Sequence, residues 1–272
     1  MQPACCAPGR RRLSEFNLLE ALVAGANSYS LMLGTLVCFL AAVLQGYTGF
    51  GSALIMFPLM TVIYPPVTGI AIAAIVGSVS LWPLFPNAIR SATRREIMPL
   101  LAATLLATYL GTLILIRIDP FYIRLAIGLF VILAAILMLE NIQYRGPRGK
   151  WTSIGVGVIA GFLTGSLGVP GGPILVLYFL AADTSAAEQR ANLVLSTGVI
   201  ITVLAAGLLL GGKLTAVDAL QSAIITIFAF AGMYLGAYLF LVAPVSWFRS
   251  VALIAVLAAG LSAIAAALQS AA

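Results

Sequence analysis

The 272-residue chain has no histidine, three cysteines and eight acidic residues, and charged residues make up only 8% of it. Without histidine there is no imidazole general base, no imidazole metal site and no histidine-ligated haem. Cys5 and Cys6 fall in the N-terminal tail and Cys38 in an apolar segment. That spacing implies neither a zinc site nor a disulfide framework. Lysine is scarce too, since 12 of the 14 basic residues are arginine. None of the basic runs is long enough for a nucleic-acid arm. The expected reading is therefore no cofactor, no metal and no nucleic-acid partner.

What the chain has in abundance is apolar surface: 62% of residues are hydrophobic, and the mean hydropathy is +1.13. A soluble domain carries about 25% charged residues. A chain this apolar belongs in a lipid bilayer. The N-terminus has a basic start at Arg10–Arg12, but Glu15, Asn17 and Glu20 interrupt the apolar run that a signal peptide needs. Residues 13–23 read instead as an interfacial amphipathic helix, with Leu13, Phe16, Leu19 and Val23 on one side.

The apolar segments come in two series, 28–45, 52–64, 67–89, 97–116 and 121–142, then 152–164, 173–182, 189–211, 216–241 and 246–268. Tyr109-Leu110-Gly111 recurs as Tyr234-Leu235-Gly236, 125 positions later, and Arg124 matches Arg249 at the same spacing. This reads as an internal duplication. The expected organisation is a tail and interfacial segment (1–27), a first membrane repeat (28–142), a basic linker (143–150) and a second repeat (151–269).

Each repeat has a glycine-rich interruption near its start. The first reads Gln45-Gly46-Tyr47-Thr48-Gly49-Phe50-Gly51-Ser52, the second Thr164-Gly165-Ser166-Leu167-Gly168-Val169-Pro170-Gly171-Gly172. Gly46 and Gly165 are 119 positions apart, as are Gly49 and Gly168. The plainer explanation is close helix packing through small residues. However, two interruptions in matching places, each flanked by polar residues, point to backbone that lines a transport site.

The predicted fold is an all-α polytopic membrane protein of two tandem repeats. Counting the segments around each break as one broken crossing gives about eight crossings. Arginine-rich short loops stay cytoplasmic. On that count the tail, the Arg90–Arg95 loop and the linker share the cytoplasmic side, and the repeats are parallel. Five full crossings per repeat would invert them.

Breaking a helix in mid-membrane leaves unpaired N–H groups at the start of the next half-helix, where the dipole is positive. Ser52 and the Gly171-Gly172 backbone would stand at two such starts, with Gln45, Thr48, Thr164 and Ser166 as neutral donors around a small anion. Asn192 and Ser196 share one face of the helix over 189–211, and the Asn192 amide needs several partners. Thr197 lies on the same half, and Ser78 and Ser80 occupy the matching region of the first repeat. The serines have a plainer role, bonding back to their own helix backbone. Arg190 either snorkels to the interface, pairs with Glu188, or draws anions into the pathway.

Two membrane repeats, each with an early Gly-rich break followed by a proline (Pro58, Pro173), resemble the TauE/SafE family of sulfite and organosulfonate permeases. The resemblance runs from about Leu31 to Ile264, and the second break carries it best. In the first break, Gly51 is followed by Ser52 and Ala53 where the family has a glycine run. The resemblance implies a secondary transporter of a small, often sulfur-containing anion in the bacterial inner membrane. The matched interruptions themselves mark residues 45, 46, 48, 49, 51, 52, 164–166, 168, 171 and 172 as the expected substrate site, together with Asn192 and Ser196.

Net export is the expected direction, because no acidic residue falls at the centre of a span. An anion channel or an ion-coupled importer would use the same site. An intramembrane enzyme is disfavoured by the missing histidine and by lysines confined to loops. Homo-oligomerisation is left open.

Overall fold

The computed structural model describes residues 28–48, 51–140, 146–179, 181–182, 184–242 and 245–271, and no β-strand occurs among them. The helices are α1 (Ser28–Thr48), α2 (Ser52–Ile63), α3 (Pro66–Leu81), α4 (Phe85–Ser91), α5 (Arg94–Leu115) and α6 (Pro120–Leu139). They continue as α7 (Lys150–Leu167), α8 (Gly172–Phe179), α9 (Ala186–Leu210), α10 (Ala216–Val242) and α11 (Val245–Ala271). A 3-10 turn at Trp82–Leu84 joins α3 to α4. Six stretches among the described residues are long and apolar enough to cross a membrane: 28–46, 66–91, 94–115, 120–137, 187–210 and 216–239. The expected interfacial helix at 13–23 lies outside the described residues.

Local chemistry explains the starts. Pro66 and Pro120 open α3 and α6 at the position where a missing N–H costs nothing, and Asp119 caps α6 by accepting from Phe121 N–H at 2.8 Å. Ser185 and Glu188 form a capping box at α9. Glu188 is thereby engaged with Ser185, and Arg190 stands exposed on the next turn.

Burial sorts the helices into centre and periphery. Most of α3 is buried, and it packs against α2, α9 and α10. The outer helices turn Leu36, Leu106, Leu110, Leu129, Ile227 and Tyr234 outward, all at least 50% exposed. An apolar exterior of that kind is stable only against lipid.

Two tight pairings hold the periphery, α5 on α7 and α1 on α10. Both run parallel and rely on absent side chains. A Cβ on Gly157, Gly161 or Gly165 would lie 2.6, 2.7 or 2.3 Å from the carbonyl oxygens of Leu100, Thr104 and Thr108. On the other pairing, a Cβ on Gly46 would lie 2.1 Å from the Met233 oxygen. Gly46 and Gly165 are 119 positions apart, and their partners Met233 and Thr108 are 125 apart, which are the spacings of the expected duplication. The small-residue packing of membrane helices thus accounts for the first glycine of each interruption.

The structure corrects the expected path of the chain at both breaks. At the first, Ser52 Oγ donates to Gln45 Oε1 at 2.8 Å, Cys38 Sγ lies 3.9 Å from Met60 Sδ, and Gly34 lies beside the Tyr64 ring. Residues 45, 38 and 34 thus face 52, 60 and 64, so α2 runs back along α1. At the second, Gly171 N–H donates to Thr164 Oγ1 at 3.0 Å, and Ser153 Oγ and Tyr178 OH lie 3.0 Å apart. Here α8 runs back along α7. Each interruption is the tip of a helical hairpin rather than a break within one crossing.

The hairpins enter from opposite ends. Arg124 Nε, at the start of α6, donates to the Thr61 oxygen at 2.9 Å, which puts the foot of the first hairpin at the Asp119 end. Arg148 pairs with Glu96 at 3.6 Å, which puts the foot of the second at the Arg95 end. The expected parallel orientation, with the tail and the linker on one side, therefore gives way. The chain enters α1 at the end opposite the linker. The physical reason is that a returning hairpin contributes no net crossing, so the count of crossings between basic clusters changes by one.

Candidate functional site

The tips of the two hairpins share one cavity. It is lined by Gln45, Gly51, Ser52, Ala53 and Leu54 from the first and by Gly172, Pro173 and Val176 from the second, with Leu81, Leu193, Val194 and Thr197 closing it. Leu81 lies near the middle of the 66–91 span, and residues 193–197 lie near the middle of α9. The volume is about 40 Å³. One water needs roughly 10–15 Å³ in such a space, so the cavity suits a few waters or one compact anion.

Glycine is required at each tip by backbone geometry. Gly51 has φ +97° immediately before α2, and Gly168 has φ +65° as the cap ending α7. An L side chain is disfavoured in that region. A Cβ on Gly168 would also lie 2.3 Å from Ile70 Cδ1.

Ser52 and Gly172 are the first residues of α2 and α8. The opening N–H groups of a helix have no intrahelical partner and carry the positive end of its dipole. Two helix starts therefore face the same small space. Ser52 Oγ occupies the Gln45 oxygen, which leaves the Gln45 NH₂ as a neutral donor at the cavity. No acidic, lysine or arginine side chain is in the lining.

The other expected site residues have different surroundings. Thr164 is buried, donates to the Ala160 oxygen at 2.8 Å and accepts from Gly171 N–H at 3.0 Å, which ties the tip of the second hairpin to α7. Ser166 donates back to Phe162 O at 2.6 Å. Ser196 donates back to Asn192 O, and Ser78 and Ser80 to Ile75 O and Val76 O. Asn192 Oδ1 accepts from Thr93 N–H at 3.2 Å and so pins α9 to the turn before α5. A Cβ on Gly171 would lie 2.6 Å from Thr164 Oγ1. Gly46 and Gly165 face neighbouring helices as described above. The Thr48 side chain and Gly49 lie outside the described residues. Arg190 is exposed near the start of α9 and is not part of the lining.

On α9 the sequence pointed to Asn192 and Ser196, with Thr197 on the same half; of these Thr197 lines the cavity, beside Leu193 and Val194. One residue is about 100° of helix rotation, and the i, i+4 pair Leu193–Thr197 was the available signal. The apolar lining residues Leu81 and Val176 carried no signal that separates them from core.

The architecture defines an all-helical membrane protein with a small, uncharged cavity where two opposed hairpins meet. The sequence model described as sulfite exporter TauE/SafE matches residues 34–263, and the chain belongs to this family of membrane transporters. No curated protein and no solved structure matches the chain.

Proposed function

We propose that the protein is a secondary transporter that carries a small anion, of the sulfite or organosulfonate class, out of the cell through this cavity. The observation that carries the reading is the convergence of two helix N-termini, at Gly51-Ser52 and Gly172-Pro173, on one cavity without charged side chains. Backbone N–H groups and the two dipoles attract a compact anion, while the absence of a cation keeps binding weak enough for release. Family membership supports transport and the sulfur-oxyanion class.

The two halves would be inverted repeats about an axis in the membrane plane, which is a common build for alternating access. Several contacts support this. Counting α3 and α4 as one span (66–91), the first helix of each half packs on the fourth of the other, and α3 meets α9 as α6 meets α11. The helices α3, α5, α6, α9, α10 and α11 would cross, with a hairpin dipping in from each side. Among the described residues, Arg90, Arg94, Arg95, Arg148, Lys150, Arg190 and Arg249 fall at one end, against Arg117, Arg124 and Lys213 at the other. The Arg95 end is accordingly cytoplasmic.

Two measurements test these points. Sulfite or a small sulfonate should raise the melting temperature of the detergent-purified protein, while a cation of similar size should not. No shift with any oxyanion would overturn the assignment of the cavity. For topology, a cysteine at position 147 should react with an impermeant maleimide only from the cytoplasmic side and one at position 28 only from outside. Reaction of both from one side would restore the parallel arrangement.

A further inference from the structure

The short arms of the hairpins have a second end, and it is guarded on each face by an arginine. At the Arg95 end, Arg148 Nη2 donates to the Tyr178 carbonyl oxygen in the last turn of α8, and the guanidinium lies 4.8 Å from the centre of the Tyr178 ring. The same guanidinium pairs with Glu96 at the start of α5, 3.6 Å away. The Tyr178 hydroxyl meets Ser153 of α7. Four elements are thus joined at one point, and one of them is the helix whose other end opens onto the cavity. At the Asp119 end, Arg124 donates to Thr61 O in the last turn of α2. A cation at a helix C-terminus is stabilised by the free carbonyls and the dipole.

We propose that Arg148 and Arg124 are the latches of two gates, each holding one short arm closed against the bundle and so shutting the cavity from its own face. This inference rests on the transport reading of the cavity. Releasing Arg148 frees the α8 foot from α5 and lets the second hairpin swing without disturbing the first. Releasing Arg124 does the same for α2 on the opposite face.

The two latches are not equal. Arg148 has the carboxylate of Glu96, with both side chains largely shielded from water. Both arginine-to-carbonyl contacts are charge-assisted, and at the Arg95 face the ion pair with Glu96 comes in addition to the contact with Tyr178 O. The resting protein is therefore held more firmly shut at the Arg95 face. Arg148 and Arg124 act as positioning residues, since neither lines the cavity.

One-sided accessibility tests the pair. Thr197→Cys, placed in a chain whose Cys5, Cys6 and Cys38 are replaced by serine or alanine, reports on the cavity. Labelling by an impermeant maleimide is followed in right-side-out and inside-out vesicles. Arg148→Ala is expected to raise the rate from the Arg95 face by about tenfold, equivalent to ~1.4 kcal/mol in an opening equilibrium, with no change from the other face. Arg124→Ala should do the converse. Glu96→Gln keeps the side-chain shape and should raise labelling from the Arg95 face only, by less. It keeps the test valid where Arg148→Ala fails to fold. Equal increases from both faces, or none in Glu96→Gln, would overturn the latch. Labelling needs no substrate, so one-sided increases without any anion flux would leave the latch standing and remove the proposed function.

Discussion

Replacing Gly172 with valine is expected to abolish anion flux while lowering folded yield and melting temperature far less than Gly171→Val does. Gly172 lines the cavity as the first residue of α8, and a Cβ there would meet no atom within 4 Å apart from its chain neighbours Gly171 and Pro173. The backbone is not in the left-handed region at this position, so the main structural cost is crowding of the branched residue against Pro173, which disfavours helical backbone just before a proline. The added isopropyl group would stand where the anion must approach the N–H groups. A loss of more than about tenfold in flux, ~1.4 kcal/mol of lost interaction, should therefore appear without a matching loss of stability.

Gly171→Val makes the contrast. Its Cβ would come within 2.6 Å of Thr164 Oγ1 and 2.7 Å of Ala160 O, so it should lower flux and folded yield together. Proteoliposome flux and thermal melting of both variants, measured side by side, separate the two effects. Wild-type flux in Gly172→Val would remove the second hairpin from the binding site.

The second large effect concerns the driving force. Moving one elementary charge through 100 mV is worth about 2.3 kcal/mol, nearly a fifty-fold concentration ratio at about 1.4 kcal/mol per tenfold. The cavity lining contains no carboxylate, and the chain has no histidine to relay protons. A monovalent anion is therefore expected to leave a negative interior on the membrane potential alone. In proteoliposomes with equal anion on both sides, an inside-negative potential imposed by a K⁺ gradient and valinomycin should drive net efflux, and balanced K⁺ should abolish it. Flux that instead followed a pH or Na⁺ gradient at zero potential would identify a coupled importer.

Much of this protein was legible from residue type and spacing. The scarcity of charge and the apolar content placed it in a membrane, because no soluble core can hide that much apolar surface. Turn chemistry set several element boundaries: Pro66, Asp119-Pro120 and Ser185–Glu188 each open a helix as their local preferences require. The interruptions at Gly51 and Gly168 were visible because positive φ selects glycine whatever surrounds it. Those signals are local, and a single chain carries them in full.

Only the tertiary structure decided which way the chain goes after each interruption. Continuation and return use the same glycine-rich sequence, and the choice falls to long-range contacts such as Ser52–Gln45, Met60–Cys38 and Tyr178–Ser153. The same holds for the roles of neighbouring glycines. Gly46 and Gly165 serve helix packing, Gly51 and Gly168 the turns, and Gly172 the cavity. Composition cannot separate these, because each depends on what lies opposite the missing side chain. Nor could periodicity choose between the Asn192 and Leu193 faces of α9, since a helix buried on most sides has no polar face to mark its orientation.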